Sequence, residues 1–226
     1  MSISQNLQKL KLSIPQDVEL VAVSKTKPVS DIQEAYDSGH RVFGENKIQE
    51  MAEKYEQLPE DIKWHMIGHV QTNKVKYMAS FVSLIHGVDS LKLLREVNKQ
   101  ALKHDRVIDC LLQIRIAEEE TKFGMSEDDA VSLLNSDVFN ELTNVRIKGF
   151  MGMATFTHDK GQVEKEFKSL KSFFDRCKNE TGNHSSVRLE ILSMGMSGDY
   201  DLAISNGSNM VRIGSSIFGE RNYSNF

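Results

Sequence analysis

Short runs of apolar and β-branched residues alternate with longer amphipathic stretches along the whole chain. The strand candidates are Glu19–Ser24, Arg41–Gly44, Lys63–Ile67, Val82–Val88, Val107–Ile116, Arg146–Met153, Arg188–Ser193 and Met210–Gly214. Helical spacing falls between them, on Asp31–Ser38, Lys47–Gln57, Asp89–Lys103, Glu127–Asn135, Gln162–Glu180 and Gly198–Asn206. Several strands are nearly continuous apolar runs, as expected where both faces are covered. Repeated βα units of this kind predict a parallel sheet, and about eight of them close into a (β/α)8 TIM-type barrel. An open doubly wound sheet is the alternative arrangement of the same units.

Only Pro15, Pro28 and Pro59 punctuate the chain as prolines, and no Pro- or Ser-rich linker divides it. The expectation is therefore a single domain over residues 1–226. Ile3, Leu7 and Leu10 recur at helical spacing near the start, without the apolar core of a signal peptide. No stretch approaches the roughly 18 consecutive apolar residues needed to span a bilayer. These features point to a cytoplasmic protein with no membrane partner.

Composition narrows this picture. At 226 residues and 39% hydrophobic, the chain can bury one sizeable core. A formal charge of -4, with no run of five basic residues, argues against a nucleic-acid partner. The two cysteines, Cys110 and Cys177, fit a reducing compartment. Cys110 lies in the apolar run Val107–Leu112 and reads as a buried hydrophobe.

Three stretches carry candidate chemistry. The first is Ala22-Val23-Ser24-Lys25-Thr26-Lys27-Pro28, in which Lys25 follows a buried strand. A lysine at the C-terminal end of a barrel strand reaches the mouth where catalytic groups collect. Partial burial there frees the amine to attack a carbonyl; the other reading is a solvated lysine flanking a strand. Lys27 is expected at the solvent or at a ligand rim. The second stretch, Ser193–Gly198, closes a strand and opens a helix, with small residues and the Ser197 hydroxyl able to meet an anion. An ordinary turn with a serine cap would look the same. The third is Met210-Val211-Arg212-Ile213-Gly214-Ser215, where alternation sends Arg212 and Gly214 to one face. An inward arginine needs an anion or acceptor, and Gly214 and Ser215 can donate to a phosphate. Loops after strands seven and eight are where barrels commonly hold phosphate.

Asn46, at a strand end, can donate to a ligand oxygen or cap a helix. His65 and His69 are four apart but follow a strand-like run, and no His-Glu-x-x-His occurs, so no metal site is expected. The acidic Glu118–Glu120 reads as a solvated loop.

Five strings, AVSKTKP (22–28), FGEN (43–46), WHMIGHVQTNK (64–74), SMGMSGD (193–199) and VRIGSSIFG (211–219), together resemble the pyridoxal-phosphate homeostasis protein family. The likeness covers essentially the whole chain. That family is similar to the barrel domain of alanine racemase without its second domain, and is considered a cofactor carrier with no established reaction. The resemblance implies pyridoxal 5′-phosphate held covalently as a Schiff base on Lys25. It implies phosphate contacts from Ser197, Gly214 and Ser215, Arg212 facing the pyridine nitrogen, and, more loosely, Asn46 at the site. Gly68-His69-Val70 and Gly198-Asp199-Tyr200 vary in side chain from the family pattern without removing any of these roles.

Three functions fit these residues. The first is a monomeric carrier that buffers the cofactor for vitamin B6 homeostasis and serves apo-enzymes that require it. The second is an amino-acid racemase, which needs an acid/base group on each face of the cofactor; His65 is the candidate for the second face. The third is a Schiff-base aldolase or sugar-phosphate binder. An arginine at the pyridine nitrogen would weaken the ring as an electron sink, which suits the first two. No residue is assigned as catalytic.

Overall fold

The strand candidates become one closed parallel barrel in the order β1-β2-β3-β4-β5-β6-β7-β8. The structure, a computed structural model, describes residues 2–118, 123–180 and 185–220. The strands are β1 (Glu19–Val23), β2 (Val42–Glu45), β3 (Lys63–Met66), β4 (Leu84–Val88), β5 (Ile108–Gln113), β6 (Val145–Met151), β7 (Val187–Met196) and β8 (Met210–Ile213). The first and last strands close the ring with Val21 opposite Arg212. The doubly wound alternative is thereby excluded.

The helices are α1 (Ile3–Ser13), α2 (Val29–Asp37), α3 (Ile48–Tyr55), α4 (Leu91–Lys103), α5 (Glu127–Leu134), α6 (Asp137–Asn140), α7 (Lys160–Glu180), α8 (Tyr200–Ser205) and α9 (Ser215–Phe218). A 3₁₀ helix, Thr72–Tyr77, follows β3. Local sequence explains their starts. Ser2 and Gln5 cap α1 reciprocally, each side chain accepting from the other's backbone N–H. Ser90 does the same service for α4 through the Leu93 amide. On α7 the buried residues Val163, Phe167, Leu170, Phe174 and Cys177 recur at three- and four-residue spacing, one apolar stripe against the sheet.

Alternation along the strands sorts side chains into two cores. Val21, Val42, Leu84, Leu111, Met151 and Met210 fill a layer inside the barrel. Their neighbours, such as Ala22, Phe43, Ile85 and Phe150, pack outward against the helices. Gly149 permits the close approach of β6 and β7: its φ is +152°, and a Cβ there would lie 1.7 Å from the Ile191 carbonyl oxygen. Cys110 is fully buried and burial pushes its thiol far up; Cys177 is pushed up to about 11 by the same cause.

Several boundaries depart from those expected of the sequence: β4 starts at Leu84 rather than Val82, β5 ends at Gln113 rather than Ile116, and β6 ends at Met151 rather than Met153. β7 runs on to Met196 rather than ending at Ser193, pairing irregularly with β8 where Gly195 takes a positive φ. The single-turn helices α6 and α9 were not anticipated, because one turn is too short to show a period. Of the acidic run, Glu119 and Glu120 lie outside the described residues. Among the described residues no helix is long and apolar enough to cross a membrane.

Candidate cofactor site

A cavity of about 1340 Å³ opens at the C-terminal ends of the strands. Lys25, Asn46, Ser197, Arg212, Gly214 and Ser215 all line it, so residues far apart in sequence meet at one place. Lys25 arrives there by alternation. Val21 points into the barrel, Ser24 is bonded on the outer side, and Lys25 follows two residues after β1 ends. Thr26 then turns the chain with φ +64°, a left-handed conformation that a β-branched residue rarely adopts. Lys27 reaches across the rim and donates to the Phe218 carbonyl at 2.8 Å, fastening this turn to the end of α9.

On the other side of the mouth, the Ser197 hydroxyl oxygen accepts from the Gly214 N–H at 3.2 Å. This joins the turn after β7 to the turn after β8. Asp199 steadies the first of these turns by accepting from the Met196 N–H at 2.6 Å.

Below the mouth lies a layer of buried polar groups. Arg212 donates through Nη1 to the Ser193 carbonyl at 2.9 Å and to its hydroxyl at 2.5 Å, and through Nη2 to the Gly152 carbonyl at 3.0 Å. Ser193 Oγ is 3.3 Å from His86 Nδ1, and His86 Nε2 is 3.1 Å from His65 Nδ1. A guanidinium only donates, so Ser193 Oγ accepts from Arg212 and keeps one proton and one lone pair for His86. Ser193, His86 and His65 continue the chain through hydrogen bonds whose direction is set by the imidazole tautomers. Burial holds His65 down at about 3 and His86 well below the usual imidazole range, so both rings are neutral at pH 7. Burial also lowers Arg212 to about 10, which leaves it charged. Its bonded partners are carbonyl and hydroxyl oxygens rather than a carboxylate, and it lines the cavity. A buried cation so placed suits an anionic or electron-rich ligand.

A second buried cluster stands on the outer side of β1 and β2. Glu45 Oε1 accepts from Ser24 Oγ at 2.6 Å and from Lys54 at 2.8 Å, while Glu45 Oε2 is buried with no hydrogen-bond partner among the described residues. Burial pushes this carboxyl up to about 7 against the pull of Lys54.

The sequence reading missed His86, Ser193, Glu45 and Lys54 as members of polar clusters. The readable signal was a lone polar residue inside an apolar strand, such as His86 in Leu84–Val88. His65, named as an acid/base candidate, is only 4% exposed and engaged with His86 beneath the mouth. At the mouth itself His69 stacks on Phe123, with centroids 4.4 Å apart, and lies 3.4 Å from Asp89.

A closed (β/α)8 barrel with this mouth falls in the class of the alanine racemase N-terminal domain, whose family profile matches residues 1–222. A pyridoxal phosphate homeostasis protein of Aquifex aeolicus is 40% identical over 206 residues, 91% of this chain and 88% of that one. Another, from Pasteurella multocida, is 34% identical over 99% of this chain and 100% of its own. The chain belongs to the pyridoxal phosphate homeostasis protein family. Among solved structures, PipY of Synechococcus elongatus PCC7942 with PLP bound is similar at TM-score 0.86 and 32% identity, over 96% of this chain and 100% of that one. Alanine racemase of Clostridium difficile 630 shares the fold at TM-score 0.80 and 15% identity, this chain spanning 58% of it.

Proposed function

We propose that this protein is an intracellular carrier of pyridoxal 5′-phosphate, holding the cofactor covalently through Lys25. The observation that carries the reading is the meeting of Lys25, Arg212 and the Ser197–Gly214 pair around one cavity. Ser197, Gly214 and Ser215 would take the phosphate, Arg212 would face the ring nitrogen, and Asn46 would stand at the rim. The homologous PipY structure, described as having PLP bound, supports the assignment of ligand.

When bound, pyridoxal phosphate supplies an aldehyde that condenses with amines and a ring that can accept electrons. The residues of this chain temper that reactivity. Arg212, a permanent cation, opposes protonation of a ring nitrogen beside it and so weakens the ring as an electron sink. A fast racemase also needs an acid/base group on each face. His65, the candidate for the second, is buried and neutral in the hydrogen-bonded chain behind Arg212. These features support sequestration with release over turnover.

In this reading the protein is a single-domain monomer in the cytoplasm that keeps the cofactor available to apo-enzymes requiring it. The test is to incubate cofactor-loaded protein with L- and D-amino acids in D₂O, following chirality and α-proton exchange, and in parallel with a PLP-requiring apo-enzyme. Activation of the apo-enzyme with only trace exchange is the expected result. Turnover near the enzyme median of about 10 s⁻¹ would replace the carrier with a racemase.

A further inference from the structure

The backbone on both sides of Lys25 is tied to one buried ion cluster that the cofactor reading leaves without a role. Before the lysine, the Ser24 carbonyl accepts from Lys54 Nζ at 2.8 Å and Ser24 Oγ donates to Glu45 at 2.6 Å. After it, the Thr26 N–H donates to Glu50 Oε1 at 2.6 Å. Lys54 completes the cluster, donating to Glu45 Oε1 at 2.8 Å and to the same Glu50 oxygen at 2.7 Å. All three donors of the ammonium are then used.

This cluster lies between α3 and the outer face of β1 and β2. Its members are absent from the lining of the cavity, so any influence on a ligand there passes through the backbone. Its cost is plain: Lys54 is 5% exposed and Glu45 is fully buried. Buried charges give little or no net stability compared with apolar residues of similar size. What the cluster does provide is geometry. Thr26 sits in a strained left-handed conformation, which persists only where the surroundings hold it. The Glu50 oxygen holds the amide of that residue, and Lys54 holds both Glu50 and the carbonyl ahead of Lys25.

We propose that Glu50 and Lys54 are positioning residues for Lys25, clamping the turn so that its amine enters the cavity at one fixed place. The inference rests on the reading of Lys25 as the cofactor lysine. An amine presented in a fixed position surrenders less freedom on meeting a carbonyl, which raises its effective concentration.

Glu50 suits the test because its side chain is 23% exposed, and its removal leaves Lys54 paired with Glu45. Glu50→Ala removes the acceptor; Glu50→Gln keeps an oxygen that can serve both Thr26 and Lys54. Full-length protein carrying each change is titrated with pyridoxal 5′-phosphate, recording visible absorbance, visible circular dichroism per bound cofactor, and thermal unfolding. Borohydride mapping of the unmodified protein runs alongside. The expected result is affinity lowered about tenfold or more in Glu50→Ala, with diminished dichroism, and near-native values in Glu50→Gln. A merely structural role would move the unfolding temperature and leave the dichroism per bound cofactor intact. Unchanged affinity and dichroism in Glu50→Ala, or an equal fall in both variants, overturns the positioning role. Label found away from Lys25 in the unmodified protein overturns the cofactor reading beneath it instead.

Discussion

Arg212 and Ser193 are joined twice, Nη1 donating to both the carbonyl and the hydroxyl of the same serine at 2.9 and 2.5 Å. The hydroxyl also faces His86 at 3.3 Å. Ser193→Ala therefore strips a partner from two buried groups at once. Each group left unpaired costs about 1–3 kcal/mol, so the unfolding free energy in urea at pH 7 should fall by at least that amount. A change under about 0.5 kcal/mol, the range of ordinary surface substitutions, would show that the chain does not brace the interior.

Ser197 presents the opposite balance. It is half-buried, and its oxygen accepts from the Gly214 amide. Ser197→Ala should leave stability nearly unchanged yet weaken pyridoxal 5′-phosphate binding about tenfold or more, the worth of one charge-assisted hydrogen bond. Equilibrium titration followed by thermal unfolding separates the two effects. Native affinity in this variant would remove Ser197 from the phosphate site.

Stability should also fall in mild acid, from three buried histidines. Burial holds His40 at about 4, His65 at about 3 and His86 well below its usual range. A histidine with a depressed folded pKa contributes stability above the unfolded value of about 6.5, and loses it as pH falls toward the folded value. Between pH 7 and 5 that is about 2 kcal/mol each for His40 and His65, and His86 adds in the same direction. Glu45 works against this: raised to about 7, it contributes stability below the ordinary carboxylate value and loses it as pH rises through 7. Its return on acidification is about 2 kcal/mol over the same window. Urea unfolding at pH 7 and 5 should show a net loss, and Glu45→Gln should make that loss steeper. A flat profile would mean that the histidines are already charged or exposed.

The barrel was legible because parallel strands covered on both faces write themselves as apolar runs, from Glu19–Val23 to Met210–Ile213. Boundaries moved by a residue or more where pairing continues past the apolar run, as in β7 at Met194–Met196. Lys25 and Arg212 stood out because a charge within or just after an apolar strand breaks its pattern. Their supports did not. Glu45, Glu50 and Lys54 meet Ser24 and Thr26 only once α3 packs on β1 and β2. The Arg212–Ser193–His86 chain likewise links β8 and β7 to β4 across the barrel, a relation that no local period encodes.

The point of attachment of the cofactor decides most directly whether Lys25 is the carrier lysine. Protein loaded with pyridoxal 5′-phosphate is reduced with borohydride, digested, and its labelled peptide sequenced by mass spectrometry. A single pyridoxyl group on Lys25 is expected, with loss of the visible band in Lys25→Ala. A label on Lys27 or Lys54, or a visible band that survives Lys25→Ala unchanged, would rule Lys25 out as the carrier lysine.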